Sequence, residues 1–425
     1  MELSNTPDCK RQNHRLAIMQ LVILLGFTIA VLFRFYYRGI LQKAPYPYNS
    51  FLFFPADAFN DFFNILWGCW DGDPYNISKI QRLGGYFPLA YWIGYVFSYA
   101  IDCRWQFYGC IVGIFLAVLF YCNLKAFRSP QRSWIDTLTH ACVFTLLPYP
   151  VLFVIDRGNF DILMFIFTAA FLSLYRRGYS LTCAIPFAIT IAIKAYTGIF
   201  ILLLLAEKRY RTIVFTALLV ALMTLGSLAT FHGGFQANVD QYIASSKAGV
   251  ALIGDGRVYC FSSSLCSLLF VCGHFFGISL NNCPEFFRFY TLFTICVPFL
   301  LLAHFIWVEK TEWRRVALTV LVMILLPYSS GDYRLLFLFF PIWLFIQKKE
   351  VSRYDSWYAL LFGLAIIPKP WFIFLIPGIL NNVFSTNSIL NPIILMLLVG
   401  LLLAEGWRER CKTQAQENKQ AFPLS

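Results

Sequence analysis

Charge is scarce in this chain. Lys, Arg, Asp and Glu make up 13% of its 425 residues, about half the share of an ordinary soluble domain. No block free of long apolar runs is large enough to fold alone, which excludes a string of soluble domains. Among the 13 cysteines there is no Cys-x-x-Cys pair and no mixed Cys/His ligand spacing. They sit mostly inside apolar runs, where Cys behaves as a small hydrophobe, so a zinc site is not expected. No internal repeat is visible, which weighs against a transporter built from two related halves. No small-residue cleavage site follows the first apolar run, about Leu16–Phe33. That run reads as a retained anchor behind Lys10, Arg11 and Arg15, not as a signal peptide.

What is present is apolar. Hydrophobic residues reach 59%, with 45 phenylalanines, and mean hydropathy is +0.64. Several runs approach the roughly 20 residues of a spanning helix. The expected fold is all-α and polytopic, with about 11–13 membrane helices or half-helices. One membrane domain would cover residues 1–407, followed by a polar, unstructured cytoplasmic tail at 408–425. The net charge of +12 reflects cytoplasmic basic clusters that orient the spans, so no nucleic-acid partner is expected.

Those clusters are Lys125/Arg128/Arg132, Arg176/Arg177, Lys208/Arg209/Arg211, Lys310/Arg314/Arg315, Lys348/Lys349/Arg353 and Arg408/Arg410/Lys412. Placing all of them inside puts both termini in the cytoplasm. It leaves a first outer loop at 37–104 and a second at 232–288. Tyr86–Ile101 must then start and end outside, as a re-entrant or interfacial helix. Residues between Arg177 and Lys208 are too many for one span and too few for two. They read as a short hairpin with Lys194 at its tip, each arm rising roughly 21 Å. Later spans are expected near 315–328, 334–347, 356–378 and 389–405.

Polar residues stand out against this background. The first outer loop reads PADAFNDFFNILWGCWDGDPY from Pro55 to Tyr75, and it carries Asp57, Asp61, Asp71 and Asp73. DRGNFD (Asp156–Asp161) and SSGDYR (Ser329–Arg334) fall on the same outer side, with Lys194 beneath them. Ionisable groups at a membrane edge are costly and usually mark a site. A carboxylate can accept a proton from a hydroxyl, and Lys or Arg can hold a phosphate and the charge it gains on leaving. Duller roles fit the same residues. Asp71 and Asp73 could only shape the turn before Pro74, Asp57 and Asp61 could share a solvated helix face, and Lys194 could snorkel.

The run from Asp57 through DGDPY to YFPL resembles the first outer loop of polyprenol-phosphate-sugar-dependent glycosyltransferases of the GT-C superfold, and among them family 87. RGNFD, IKAYTG (the hairpin tip) and LPYSSGDYRLLFLFFP (Leu326–Pro341) are similar to that family's later motifs. Together the motifs cover about residues 50–345. Three positions depart from the pattern: Thr197 and Phe87 stand where prolines are common, and the late histidine is absent beside Tyr333 and Arg334.

The resemblance implies an enzyme of a bacterial inner membrane with its active site outside the cytoplasm. It would move a hexose, with inversion, from a polyprenyl-phosphate sugar to a lipid-linked glycan, an O-antigen unit or a glycolipid. Asp57 is the candidate base and Asp61 the second. Lys194, Arg157 and Arg334 would bind the donor phosphate; Asp73, Tyr75, Tyr86 and Asn159 would contact substrate. Membrane lipids are the remaining partners. No cofactor is implied, and a divalent metal could assist without being required. Two alternatives stay open at this stage: a transporter or flippase of lipid-linked sugars, and an O-antigen polymerase.

Overall fold

The computed structural model describes residues 7–43, 58–75, 86–99, 101–254, 261–278, 280, 283–369, 372–374 and 383–421. Among these, five helices are long and apolar enough to cross a bilayer: Arg11–Ile40, Arg104–Phe127, Tyr210–Thr230, Pro284–Trp307 and Asn387–Glu417. Their outward faces are apolar. On Tyr210–Thr230, the exposed residues Val214, Leu218, Leu222 and Leu225 recur at helical spacing and form one stripe. An apolar stripe left outside the protein is at home in lipid, not in water.

A bent helix pair is long and apolar enough to be a sixth crossing. Helices Trp134–Leu146 and Tyr149–Arg157 meet at 46°, with Pro148 extended between them at ψ 133°. Proline has no N–H to continue the helical ladder, so the break falls there.

Several other segments are short and interior. Helix Glu312–Leu325 is buried without interruption from Val316 to Leu325. It packs against the segment Asp332–Gln347, where Leu335–Phe340 are buried as well. A helix that is apolar all round needs protein or lipid on every side; here protein supplies it. Helix Asp161–Arg176 has 16 residues, about 24 Å of rise, too short for a hydrocarbon core of about 30 Å.

The expected hairpin around Lys194 is present. Helix Ala184–Ile193 ends at Lys194, whose backbone is extended (φ −151°, ψ 121°), and a 3₁₀ turn at Ala195–Phe200 leads into helix Ile201–Ala206. The segment expected to be re-entrant or interfacial forms helix Pro88–Ser98, packed on helix Asn60–Cys69. The later stretch expected outside the membrane contains helices Phe235–Gly254 and Leu265–Phe275.

Two expectations change. The span placed at 356–378 ends as helix Asp355–Ile366, because Pro368 drives Ile367 to an extended conformation (ψ 155°). Strand Phe372–Phe374 then pairs antiparallel with Val383–Ser385, Phe372 opposite Ser385, a short strand pair beside the helices of the described residues. The tail expected to lack structure continues the last helix to Ala421.

Candidate active site

The RGNFD motif is a tight turn between helices Tyr149–Arg157 and Asp161–Arg176. Gly158 makes the turn with φ +66°, and a Cβ there would lie 3.0 Å from the Phe59 backbone. Both facts favour glycine. Gly158→Ala should therefore lower the thermal midpoint of the purified protein by several degrees, for a cost of about 1–2 kcal/mol. An unchanged midpoint would mean that Phe59 yields freely.

The turn fans its side chains in different directions. Arg157 donates to Asp61 Oδ1 at 2.5 Å. Asn159 is fully buried and uses its whole hydrogen-bonding capacity. Its Nδ2 donates to Asp61 Oδ2 (2.7 Å) and to the Tyr86 hydroxyl (3.3 Å). Its Oδ1 accepts from Lys194 Nζ (2.7 Å) and from the Asp161 N–H (3.1 Å). With both donors and both lone pairs engaged, the amide has one orientation. A single carboxamide thus ties the Asp61 carboxylate to the Lys194 ammonium. Burial, and next the Asp61 charge, push the Tyr86 phenol well above its usual range, so it stays protonated.

Lys194 reaches inward, not out to lipid. Its Nζ donates to Asp161 Oδ1 at 2.5 Å, and the Lys194 side chain is 12% exposed against 0% for Asp161. The ammonium also lies 4.7 Å from the Tyr86 ring centroid and 5.0 Å from that of Tyr333, both within cation–π range. Asp161 Oδ2 accepts from the Tyr196 hydroxyl at 2.7 Å, and the Tyr196 ring carries the Arg334 guanidinium at 4.1 Å. Arg334 Nη1 donates to the Ser329 carbonyl; among the described residues its buried Nε has no hydrogen-bond partner. These groups surround an open cavity of about 390 Å³ lined by Tyr86, Phe87, Lys194, Ala195, Tyr196, Tyr333 and Arg334. It presents two cations on aromatic walls, with a carboxylate behind one of them.

Tyr333 and Arg334 are held by the neighbouring Asp332, which is 0% exposed. Its carboxylate accepts from Tyr149, Ser263 and Asn387, and its N–H donates to the Phe261 carbonyl. Burial raises the Asp332 carboxyl, and those hydrogen bonds pull it back. The serine segment of the second outer loop and the start of the last helix therefore aim the late motif into the cavity.

Lys194, Arg334, Tyr86, Asn159 and Asp61 come together as one connected group. Arg157 joins from the far side of Asp61 and does not line the cavity. Asp73 and Tyr75 lie elsewhere. The Asp73 N–H donates to Asp71 Oδ1 (3.2 Å), an Asx-type turn, and Gly72 packs on His232. Tyr75 is 1% exposed and meets Tyr91, Phe231 and Tyr242 edge-on, one ring away from Tyr86. Asp57 lies outside the described residues. The sequence singles out Asp161 only as one of the polar residues gathered with the site and Phe87 and Tyr333 only as motif positions; Tyr196, two residues beyond Lys194 in IKAYTG, is the residue it misses.

No curated protein and no solved structure matches the chain. A family model does, over residues 88–330, which is more than half the chain and includes RGNFD, Lys194 and Tyr196. On that match the chain, with its long apolar helices, belongs to glycosyltransferase family 87.

Proposed function

We propose that this membrane glycosyltransferase takes a hexose from a polyprenyl-phosphate sugar and passes it to a lipid-linked glycan, O-antigen unit or glycolipid at the outer face of the plasma membrane. One observation carries the reading: Lys194 and Arg334 line an open aromatic cavity, and Asn159 links that Lys194 to Asp61. The cations suit a phosphate, the aromatic walls suit a sugar ring's apolar face, and the carboxylate suits a base.

In the step we write, an acceptor hydroxyl oxygen attacks the anomeric carbon. The bond from that carbon to the phosphate oxygen breaks, and polyprenyl phosphate leaves with the bonding pair. The hydroxyl proton passes to Asp61, the described candidate, or to Asp57. A single displacement inverts the anomeric centre. Phosphate is already a good leaving group, so the step needs no metal.

The test is transfer by the purified protein from a short-chain polyprenyl-phosphate sugar, read by mass spectrometry of the products. It is paired with external labelling of single cysteines in cells. Transfer is expected, with label reaching the exposed positions 233–237 and not position 177 or 208. Active protein labelled from outside at 177 would reverse the sidedness. Absence of transfer with any such donor, beside lipid-linked sugar crossing the bilayer, would favour a flippase.

A further inference from the structure

Asp161 takes no part in the displacement written above. It is 0% exposed and pairs at 2.5 Å with Lys194, one of the cavity's two cations. Its place at the first turn of helix Asp161–Arg176 suits a negative charge, because free N–H groups point out of that end. One oxygen holds the Lys194 ammonium. The other holds the Tyr196 hydroxyl, whose ring supports Arg334.

The charged groups facing this point, among the described residues, are few. Asp61 from helix Asn60–Cys69 and Arg157 from helix Tyr149–Arg157 pair with each other. Asp332, buried two residues before Arg334, and Lys369 attract each other and offset one another. Lys194 and Arg334 face the cavity, and Asp161 stands behind them. The tyrosines Tyr86, Tyr196 and Tyr333 complete the wall. One carboxylate against two cations leaves the cradle with a single net positive charge.

We infer that Asp161 is a specificity-determining positioning residue: its charge tunes the cradle to hold a singly charged phosphodiester and to release a doubly charged phosphomonoester. The inference rests on the lipid-phosphate donor proposed above. In that reaction the donor is a diester with one negative charge. The leaving polyprenyl phosphate is a monoester with a second ionisation near pH 6 and about 1.5–2 negative charges at pH 7. In a half-buried site of net charge +1, the diester is neutralised. The fully ionised monoester leaves an uncompensated negative charge away from bulk water, which is costly. Asp161 thereby opposes retention of the product.

The experiment measures binding of two probes, a short-chain prenyl phosphate and its methyl diester, to full-length protein in detergent. In wild-type protein the monoester's affinity relative to the diester should fall as pH rises from 5.5 to 7.5. Asp161→Asn, which keeps size and removes charge, should tighten the monoester at pH 7.5 about tenfold or more and the diester about threefold or less. It should also reverse the pH trend and strengthen product inhibition by the monoester. Asp161→Glu should behave like wild type. Equal tightening of both probes, or none, overturns the role of Asp161. If Asp161→Asn does not fold, the wild-type pH series decides, and a relative gain for the monoester on raising the pH overturns it. Wild-type protein that binds neither probe overturns the lipid-phosphate reading itself.

Discussion

Asp61→Asn is expected to lower turnover by about 10²–10⁴-fold, the usual worth of a positioned general base, while the KM for donor changes little. The asparagine preserves size, but its one oxygen can accept from only one of Arg157 and Asn159, which donate to different Asp61 oxygens, so its NH2 turns toward the other donor and that hydrogen bond is lost. Also lost is the ability to take the acceptor's proton. Each Asp61 oxygen accepts one of these hydrogen bonds, and a carboxylate oxygen has a second lone pair for substrate. Steady-state kinetics with donor and acceptor varied separately are the measurement. Wild-type turnover would move the role to Asp57, four residues upstream. A raised donor KM with unchanged turnover would make Asp61 an anchor for Asn159 and not a base.

Lys194→Met should raise the donor KM on the order of 100-fold or more, as expected for removing one member of a desolvated charge pair. The methionine fills much of the lysine stem's volume but leaves the phosphate without its buried cation. It also strands the Asp161 carboxylate, whose 2.5 Å partner is gone. An unpaired buried charge destabilises on its own account. The double variant Lys194→Met/Asp161→Asn separates the two effects. It should recover thermal stability close to wild type while donor binding stays weak. Lys194→Arg keeps the charge with a larger, planar head and should retain part of the activity. A folded Lys194→Met protein with wild-type donor affinity would reduce Lys194 to a structural partner of Asp161.

The hairpin around Lys194 was legible from residue counts alone, since two arms too short to span must leave their tip below the surface. The same count implied that the lysine faces protein. Its partners were not legible. Asp161 could be recognised only as one polar residue among several on the outer side, and Asn159 only as a motif position. Asp73 shows the opposite error: prominent in sequence, it closes a local turn. The span expected at 356–378 is cut short at Ile366 by the proline that follows, and Phe372–Phe374 pairs as a strand instead.

The sequence by itself determined the class of protein, the basic clusters that flank its apolar runs and the family motifs. These follow from the length of apolar runs and from charge near their ends, properties of short stretches of chain read against the bilayer. Only the tertiary structure decided which charges neutralise one another, which stay available, and that one amide joins Asp61 to Lys194. Those pairings link residues 35 and 98 positions apart. They depend on angstrom-scale approach of separate helices, set by the packing of the buried core, and no local pattern encodes that.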